Sequence, residues 1–250
     1  MADPEQNRRI FRITGPDARH FLQGLITNDV GKLDQGMVYA AMLTPQGKYL
    51  ADFLLVPDAG AILLDVHDSI ADGLLARLTM YKLRADVAID PVDLPVWRGL
   101  GDVPDGAFAD PRHPGLGWRK YGDAPADAAA VDWDALRVAH MIPETGAELT
   151  PDSFILEYGF EALSGVDFRK GCYVGQEVTA RMKHKTELRK GLAQVSVEGD
   201  AAPGDTITAA DGKPAGTLCT RAGDRALAYL RFDRADGAMQ AGAARITRTV

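Results

Sequence analysis

The sequence is poor in two features that metalloproteins and membrane proteins often rely on. Cysteine occurs only as Cys172 and Cys219, and neither belongs to a CxxC pair. The chain therefore cannot supply a four-cysteine zinc site or iron–sulfur cluster by itself. Apolar runs such as Phe53-Leu-Leu-Val56 are short, whereas a membrane-spanning helix needs roughly 20 apolar residues. We expect no self-contained metal cluster and no membrane partner.

Positive charge is also in deficit. The formal net charge is −7 and the isoelectric point is about 5.2. General nucleic-acid binding depends on a clustered positive field, so we expect no such partner. The first residues, Met1 to Arg9, lack the apolar run of a secretory signal. Together with the low cysteine content, this predicts a reducing, cytoplasmic location.

The sequence does contain many short apolar runs, separated by turn residues, that favour an α+β fold. Period-two alternation predicts strands, and helix signals such as Asp132 predict helices between some of them. The predicted strands are 8–14, 37–43, 49–56, 61–66, 87–89 and 96–98, with one more around 116–118, and the predicted helices are 18–23, 69–78 and 132–140.

After Gly191 the pattern changes to short alternating runs bounded by glycine and proline, which is typical of a small antiparallel β-barrel. Its predicted strands are 192–197, 206–208, 216–220, 226–232 and 244–247. We therefore divide the chain into a mixed module, residues 1–190, and a C-terminal barrel, residues 191–250.

The segment Lys170-Gly-Cys-Tyr-Val-Gly-Gln-Glu177 is the most informative in the chain. Glycines bracket Cys172 and permit close approach of another molecule, and a helical pattern begins at Gln176. A helix N-terminus and the neighbouring Lys170 would both favour a thiolate, the form that acts as nucleophile or metal ligand. The alternative is a small buried cysteine in a turn. Cys219, inside a predicted barrel strand, is expected to be inert because burial raises a thiol pKa.

Basic residues concentrate around the same segment. Seven cations face only two acids, Glu177 and Glu187, which gives the stretch a charge of about +5. The cations are Arg169, Lys170, Arg181, Lys183, Lys185, Arg189 and Lys190. This favours an anion site or an acidic partner, and a solvated helix face is the alternative. His184 in this stretch is interpreted as a surface or packing residue.

The motif around Cys172 resembles the signature of the YgfZ-type folate-binding proteins, a family similar in fold to the aminomethyltransferase of the glycine cleavage system. Weaker matches follow in order along nearly the whole chain. They are Phe21-Leu-Gln-Gly-Leu-Ile-Thr-Asn-Asp-Val30, Leu43-Thr-Pro-Gln-Gly-Lys48 with Asp52-Phe53, Tyr81-Lys-Leu-Arg84, Arg137 with Ile142-Pro143, and Gly216-Thr-Leu with Ala226-Leu-Ala228. Pro143-Glu144 and Arg181-Met-Lys-His184 resemble the branch that includes a mitochondrial assembly factor.

The resemblance implies an aminomethyltransferase-like ring of subdomains around a folate-sized opening, followed by the small barrel. It also implies a role in iron–sulfur cluster assembly or repair and tetrahydrofolate as a ligand. The ligand-binding residues implied by the resemblance are Asn28, Asp52, Tyr81, Arg84, Lys170, Gly171, Tyr173, Gly175, Gln176 and Glu177.

The chain departs from the aminomethyltransferase pattern at two places. Those enzymes usually carry a pair of acids where this chain has Ala51-Asp52. They also place a glutamate, two residues after an arginine, against the pterin ring, and the matching stretch here is Arg137-Val-Ala139. A carboxylate that accepts two hydrogen bonds best meets a guanidine-like edge. We therefore expect weak folate binding and still weaker aminomethyl transfer.

The leading hypothesis is an accessory factor, rather than a conventional enzyme, for iron–sulfur assembly. Cys172 would be both the functional thiolate and the metal ligand, holding a transient cluster shared with a scaffold or A-type carrier protein. The first alternative is a folate-dependent aminomethyl transferase, with Asp52 as its candidate acid. The second alternative is a folate-binding sensor without chemistry.

Overall fold

The computed structural model describes residues 5–125, 130–185 and 187–249. By their contacts, the residues form two compact units. The first unit comprises residues 1–131 and 160–180, and the second comprises residues 132–159 and 181–250. Each unit is therefore built from two separate stretches of the chain. The division predicted from the sequence instead placed a single boundary at residue 190.

An antiparallel five-stranded sheet forms the centre of the first unit, with strand order β2-β3-β4-β1-β5. The strands are β1 (Arg8–Thr14), β2 (Val38–Leu43), β3 (Tyr49–Asp58), β4 (Ala61–His67) and β5 (Ala88–Val92). All six residues of β2 are buried, because each face of this strand is covered. The predicted strands of this region are confirmed to within a few residues.

Helices α1 (Ala18–Gln23) and α2 (Asp68–Lys82) belong to the first unit. Leu74 and Leu78 of α2 join Leu22 of α1 in one apolar core with the sheet. The start of α2 differs from the prediction, which placed the cap at Ser69. The ring nitrogen Nδ1 of His67 instead accepts a hydrogen bond from the Ser69 backbone N–H (3.2 Å).

A three-stranded sheet follows, in the order β6-β8-β7. Its strands are β6 (Val96–Gly99), β7 (Ala107–Ala109) and β8 (Trp118–Tyr121). Arg119 of β8 is buried and pairs with Glu5 (2.7 Å), Asp110 (3.1 Å) and Asp65 (3.4 Å). Burial alone would raise the pKa of Glu5, but the charges of Arg119 and Arg98 lower it to about 2. The charge network thereby ties the N-terminal segment to both sheets.

The second unit contains helix α3 (Trp133–His140) and a closed antiparallel barrel with strand order β10-β11-β12-β9-β14-β13. Its strands are β9 (Lys190–Glu198), β10 (Thr206–Ala209), β11 (Pro214–Ala222), β12 (Arg225–Arg231), β13 (Met239–Ala241) and β14 (Ala244–Arg248). The predicted barrel is confirmed. Asp132 caps α3 by accepting from the Ala135 N–H (2.9 Å), and Gln194 of β9 donates to the Val138 carbonyl (2.8 Å). Residues 132–159 therefore group with the barrel.

Helix α4 (Gln176–Lys185) follows the cysteine motif, as predicted from the pattern after Gly175. No helix in the described ranges is both long enough and apolar enough to cross a membrane.

Candidate functional site

Cys172 lies in a short loop directly before α4, in the first unit. Cys172 and Gly171 are exposed, whereas the residues on either side, Lys170 and Tyr173, are buried. The thiol is free. The loop therefore presents its sulfur to solvent between two anchored positions. We call residues 170–175 the cysteine loop.

Lys170 provides the first anchor, although the sequence suggested a different role. Its Nζ donates to three backbone carbonyls, those of Gln23 (2.7 Å), Ile26 (2.6 Å) and Asn28 (3.0 Å). Three donors and three acceptors match the full capacity of an ammonium group. Burial lowers the pKa of Lys170 to about 8. The cation therefore fastens the loop to the end of α1 and the segment after it.

Tyr173 provides the second anchor. Its ring is buried, and the ammonium of Lys170 lies 5.1 Å from the ring centroid, within the range of a cation–π interaction. Burial raises the pKa of Tyr173 to about 12. The Tyr173 hydroxyl is buried without a hydrogen-bond partner among the described residues, and the neighbouring Thr179 hydroxyl donates to the Gly175 carbonyl (3.2 Å).

Gly175 sets how closely the loop approaches the β2–β3 turn. Its φ is +84°, and an added Cβ would lie 2.6 Å from the Thr44 carbonyl oxygen and 3.3 Å from the Gly47 Cα. Gly47 also has a positive φ, and its Cβ would collide with Val178 of α4. Gly171 differs, since its Cβ would meet nothing within 4 Å. Gly175 is therefore required by packing and Gly171 is not.

Asn28 and its neighbour Thr27 hold the chain that leads into the cysteine loop. The Asn28 amide donates to the carbonyls of Tyr39 (2.7 Å) and Ser164 (2.6 Å), and its oxygen accepts from Lys32 Nζ (2.8 Å). The same oxygen accepts from the next backbone N–H (2.8 Å). These bonds use the full hydrogen-bonding capacity of an amide, so Asn28 positions the loop.

Asp52, the candidate acid, lies in a cluster of aromatic residues. Its two carboxylate oxygens accept hydrogen bonds from the hydroxyls of Tyr39 (3.0 Å) and Tyr49 (2.6 Å). The Tyr39 ring stacks on Phe160 at 5.1 Å, and burial followed by the charge of Asp52 raises the pKa of Tyr39. The arrangement keeps Asp52 as a hydrogen-bond acceptor on the sheet.

The remaining predicted site residues lie at the ends of two helices. Tyr81 is half-buried near the end of α2, and Arg84 is exposed in the turn that follows. Gln176 starts α4, and its backbone N–H donates to the Tyr173 carbonyl (3.2 Å). Glu177 is exposed in the first turn of α4.

The basic stretch predicted from the sequence lies largely on the surface. Arg169, Arg181, Lys183 and His184 are exposed. The Lys185 side chain and Thr186 lie outside the described residues. The exposure fits either an acidic partner or a solvated helix face.

Cys219 occupies a different environment, on β11 of the barrel. Burial, and after it the charge of the nearby Glu148 carboxylate, raises its pKa to about 11. Glu148 is buried and accepts hydrogen bonds from the Thr220 hydroxyl (2.6 Å) and from Arg137. The direction of the Cys219 pKa agrees with the sequence-based expectation. Two neighbours of Cys219 were not predicted: Glu148, which contributes to the rise of its pKa, and Arg137, which opposes it.

The carboxylates around Ala139 do not offer a place for a pterin ring. Ala139 is exposed on α3, and the acids nearest in the same network all pair with Arg137. They are Asp134 (2.9 Å), Glu144 (3.0 Å) and the buried Glu148. Since a pterin edge needs a carboxylate with free acceptor positions, the described residues fit tetrahydrofolate poorly at this position.

Within residues 5–125, 130–185 and 187–249, no group of three or more His, Cys, Asp or Glu side chains is placed to hold a metal ion. The exposed Cys172 thiol offers a single sulfur ligand, so a metal centre that it joined would take its other ligands from another molecule.

Comparison with known proteins identifies relatives over most of the chain. The sequence is 33% identical to the mitochondrial iron–sulfur cluster assembly factor IBA57 of Mus musculus, over 92% of this chain and 77% of the relative. It is 30% identical to the protein of the same name from Homo sapiens, again over 92% and 77%. Residues 189–250 match the family model described as the C-terminal β-barrel domain of CAF17.

The fold is similar to that of aminomethyltransferase T of the glycine cleavage system from Bartonella henselae. The TM-score is 0.77, with 97% of this chain and 82% of that chain covered at 13% identity. This confirms the predicted aminomethyltransferase-like α+β fold. The predicted cytoplasmic location is wrong, because both relatives are named as mitochondrial proteins.

Proposed function

Because the chain belongs to the IBA57 family of iron–sulfur cluster assembly factors, we propose that it assists the assembly or repair of iron–sulfur clusters, with Cys172 as its functional thiolate. One observation supports the choice of Cys172 as the functional residue. The Cys172 sulfur is exposed on a loop whose two flanking residues, Lys170 and Tyr173, are buried and fixed. A thiol presented in this way can reach a metal centre on another protein without rearrangement of the fold.

The proposed chemistry is ligand exchange on a cluster that arrives as cargo. The Cys172 thiol gives up its proton to solvent, because the thiolate is the form that binds iron. Its sulfur then donates an electron pair to one iron, and the ligand that this iron held before leaves. The other ligands come from the partner, since one exposed cysteine supplies only one of the usual four.

The proposed partner is an iron–sulfur scaffold or an A-type carrier. The exposed cations of α4 and the preceding loop, Arg169, Arg181 and Lys183, would attract an acidic surface on that partner. Reversing Arg169 and Lys183 to glutamate is expected to weaken the complex and flatten its salt dependence. Unchanged affinity and salt slope would make this stretch a solvated face only.

Folate plays a minor part in this proposal. The carboxylates near Ala139 are engaged by Arg137, and Asp52 is engaged by two tyrosines. We expect tetrahydrofolate to bind weakly or not at all in calorimetry. A sub-micromolar dissociation constant, or turnover of an aminomethyl donor, would favour the folate-dependent transferase instead.

The test compares the two cysteines. Cys172→Ser should fold normally but fail to restore cluster-dependent enzymes in a deletion strain, whereas Cys219→Ser should behave as the wild type. Anaerobic mixing with a cluster-loaded A-type carrier should give a shared-cluster absorbance that only Cys172→Ser abolishes. Circular dichroism of both variants serves as the folding control. Full rescue by Cys172→Ser would overturn the assignment of the thiolate.

A further inference from the structure

The turn after α2 carries a leucine where the backbone favours glycine. The Ala85 N–H donates to the Lys82 carbonyl (2.8 Å) and closes the turn. Leu83 has φ +45° and ψ −104°, angles of the first central position of a type II′ turn, which glycine favours. The side chain is 89% exposed. A large apolar residue at this position benefits neither the local backbone nor the core.

The turn cannot relax easily, because the residues after it are held. The Asp86 N–H donates to the Asp17 carboxylate (2.9 Å). An added Cβ on Gly15 would lie 2.1 Å from the Asp86 carbonyl oxygen, so the two backbones are in close contact. Leu83 is therefore displayed on a rigid support.

Gly73, in the interior of α2, shows the opposite anomaly. A glycine inside a helix is less stable than an alanine, and an added Cβ at position 73 would meet nothing within 4 Å. Neither backbone conformation nor packing inside the described residues requires glycine there. Gly73 and Leu83 are thus each a residue type that destabilises the local backbone conformation. Such locally unfavourable residues are expected at functional sites.

Gly73 lines an open cavity of about 290 Å³ in the first unit, which we call the α2 groove. Its floor is apolar and its rim carries a cation. The floor includes Met42, Leu50, Ala51 and Leu74, and the rim includes Gly73 and Arg77. Met80, one turn beyond Arg77 on the same helical face, is 58% exposed.

The charge of α2 after Gly73, together with that of the following turn, is one-sided. Arg77, Lys82 and Arg84 follow Gly73 with no acid between them, and the described residues form no ion pair with any of the three. Three unpaired cations on a protein of net charge −7 select for an acidic occupant. The exposed Leu83 and the apolar floor of the groove select for apolar side chains in the same occupant.

We propose that the α2 groove and the Leu83 turn form the docking surface for an acidic segment of the A-type carrier that delivers the cluster. This inference rests on the proposed function for the identity of the partner. An apolar side chain of the carrier enters the groove over Gly73, and Leu83 inserts into an apolar depression of the carrier. The cations of α2 pair with its acids.

The β2–β3 turn links this surface to the cysteine loop. Gly47 of the turn contacts Gly175, three residues after Cys172, and Leu50 of the groove floor lies three residues after Gly47. Three residues span at most about 11 Å, so Leu50 lies within about 27 Å of Cys172. One small protein can therefore cover both features.

The experiment measures affinity for the purified apo carrier and thermal stability in parallel. Leu83→Gly and Gly73→Ala should each raise Tm by about 1–4 °C, since each relieves a local backbone cost. Leu83→Gly should nevertheless weaken carrier binding at least about tenfold, and Gly73→Ala should weaken it by filling the groove. The matched controls Leu100→Ala and Gly237→Ala, at exposed positions elsewhere, should leave affinity unchanged.

Each outcome decides the proposal. Equal affinity of wild type, Leu83→Gly and Gly73→Ala would overturn the docking surface and leave the proposed function intact. A lower Tm in both variants would show that Leu83 and Gly73 stabilise the fold. That result would also overturn the docking surface. Self-association of the chain alone that Leu83→Gly abolishes would assign the face to a second copy. If docking is lost in these variants while Cys172→Ser still shares a cluster, the docking surface stands and the proposed thiolate function fails. Absence of any wild-type complex would contradict both.

Discussion

The two cysteines show how different surroundings give the same side chain different uses. Cys172 is exposed in the first unit, on a loop whose neighbours are buried. Cys219 lies on a barrel strand, where burial and Glu148 raise its pKa to about 11. The first position offers a reachable sulfur on a rigid support, and the second suppresses the thiolate. Reactivity therefore follows from tertiary environment rather than from residue type.

Each cysteine also has a buried cation in its region, and the cations are satisfied differently. Lys170 is held by three neutral carbonyls, so no carboxylate is brought to the cysteine loop by this contact. Arg137 is held by carboxylates, among them the buried Glu148. The carboxylate that neutralises Arg137 is the one that opposes ionisation of Cys219. The loop and the barrel thus satisfy a buried cation in different ways, and in the barrel the compensating carboxylate raises the pKa of Cys219.

The largest expected difference is in thiol reactivity. With a pKa of about 11, only about one Cys219 thiol in a thousand is ionised at pH 8. In Cys172→Ser, alkylation of Cys219 by iodoacetamide should therefore be slow at pH 8 and rise about tenfold per pH unit up to pH 10. Peptide mass spectrometry measures both rates, with Cys219→Ser as the matched variant. Equal alkylation rates of Cys172 and Cys219 at pH 8 would contradict the predicted difference in thiol reactivity.

The next largest effect concerns the barrel side of the comparison. Glu148→Gln leaves the buried Arg137 without its buried carboxylate and should cost about 3–5 kcal/mol of unfolding free energy. It should also lower the pKa of Cys219, because the charge that opposes the thiolate is removed. Urea unfolding and thiol titration check the two effects, and Glu198→Gln, an exposed acid of β9, is the control. A loss below about 1 kcal/mol would show that Glu148 contributes little to the unit.

Lys170→Met tests the loop side. Three carbonyls, two of them in buried hydrogen bonds, would lose their donor, and the expected cost is about 2–4 kcal/mol. The Lys170 pKa is about 8 in the folded protein against a usual value of 10.5, so between these pH values the native state binds fewer protons than the unfolded chain. Wild-type stability should therefore rise relative to Lys170→Met as the pH increases through this window.

Urea unfolding at several pH values between 7 and 10.5 provides the measurement, with the exposed Lys213 replaced by methionine as control. A constant difference between wild type and Lys170→Met across this range would mean that folding does not shift the Lys170 pKa.

The smallest effect separates the two glycines of the cysteine loop. Gly175→Ala meets both an unfavourable φ and the Thr44 carbonyl, and should cost about 1–3 kcal/mol. Gly171→Ala meets open space and should change stability by less than about 0.5 kcal/mol. Thermal unfolding of the pair measures this contrast. A large loss for Gly171→Ala would reveal a packing role for that residue.

The sequence predicted most of the fold, because repeated short runs of alternating apolar residues, separated by turn residues, leave few alternatives. The strands β1 through β5, β9 through β12 and β14 were each predicted within a few residues, as was the barrel. Strands β7 and β13 were missed, since each has only three residues and three residues show no periodicity. The start of α2 was misjudged because a histidine, rather than the expected serine, caps it.

Prediction of the site was less complete. The sequence singled out Cys172 and its glycines, and it placed Lys170 beside the thiol as a source of positive charge. The carbonyls that accept hydrogen bonds from Lys170 lie 142–147 residues earlier in the chain. No pattern in the sequence around Lys170 predicts these contacts. The same holds for Glu148, which lies 72 residues before Thr220.

By itself, the sequence determined most of the helices and strands, the barrel, the family and the cysteine motif, because these depend on periodicity, turn chemistry and a contiguous signature. Only the tertiary structure decided which cations are buried, which of the two glycines around Cys172 is needed for packing, and what suppresses the Cys219 thiolate. Those features depend on contacts between residues far apart in the chain. Burial strengthens such contacts by removing water, and the effect exists only once the chain has folded.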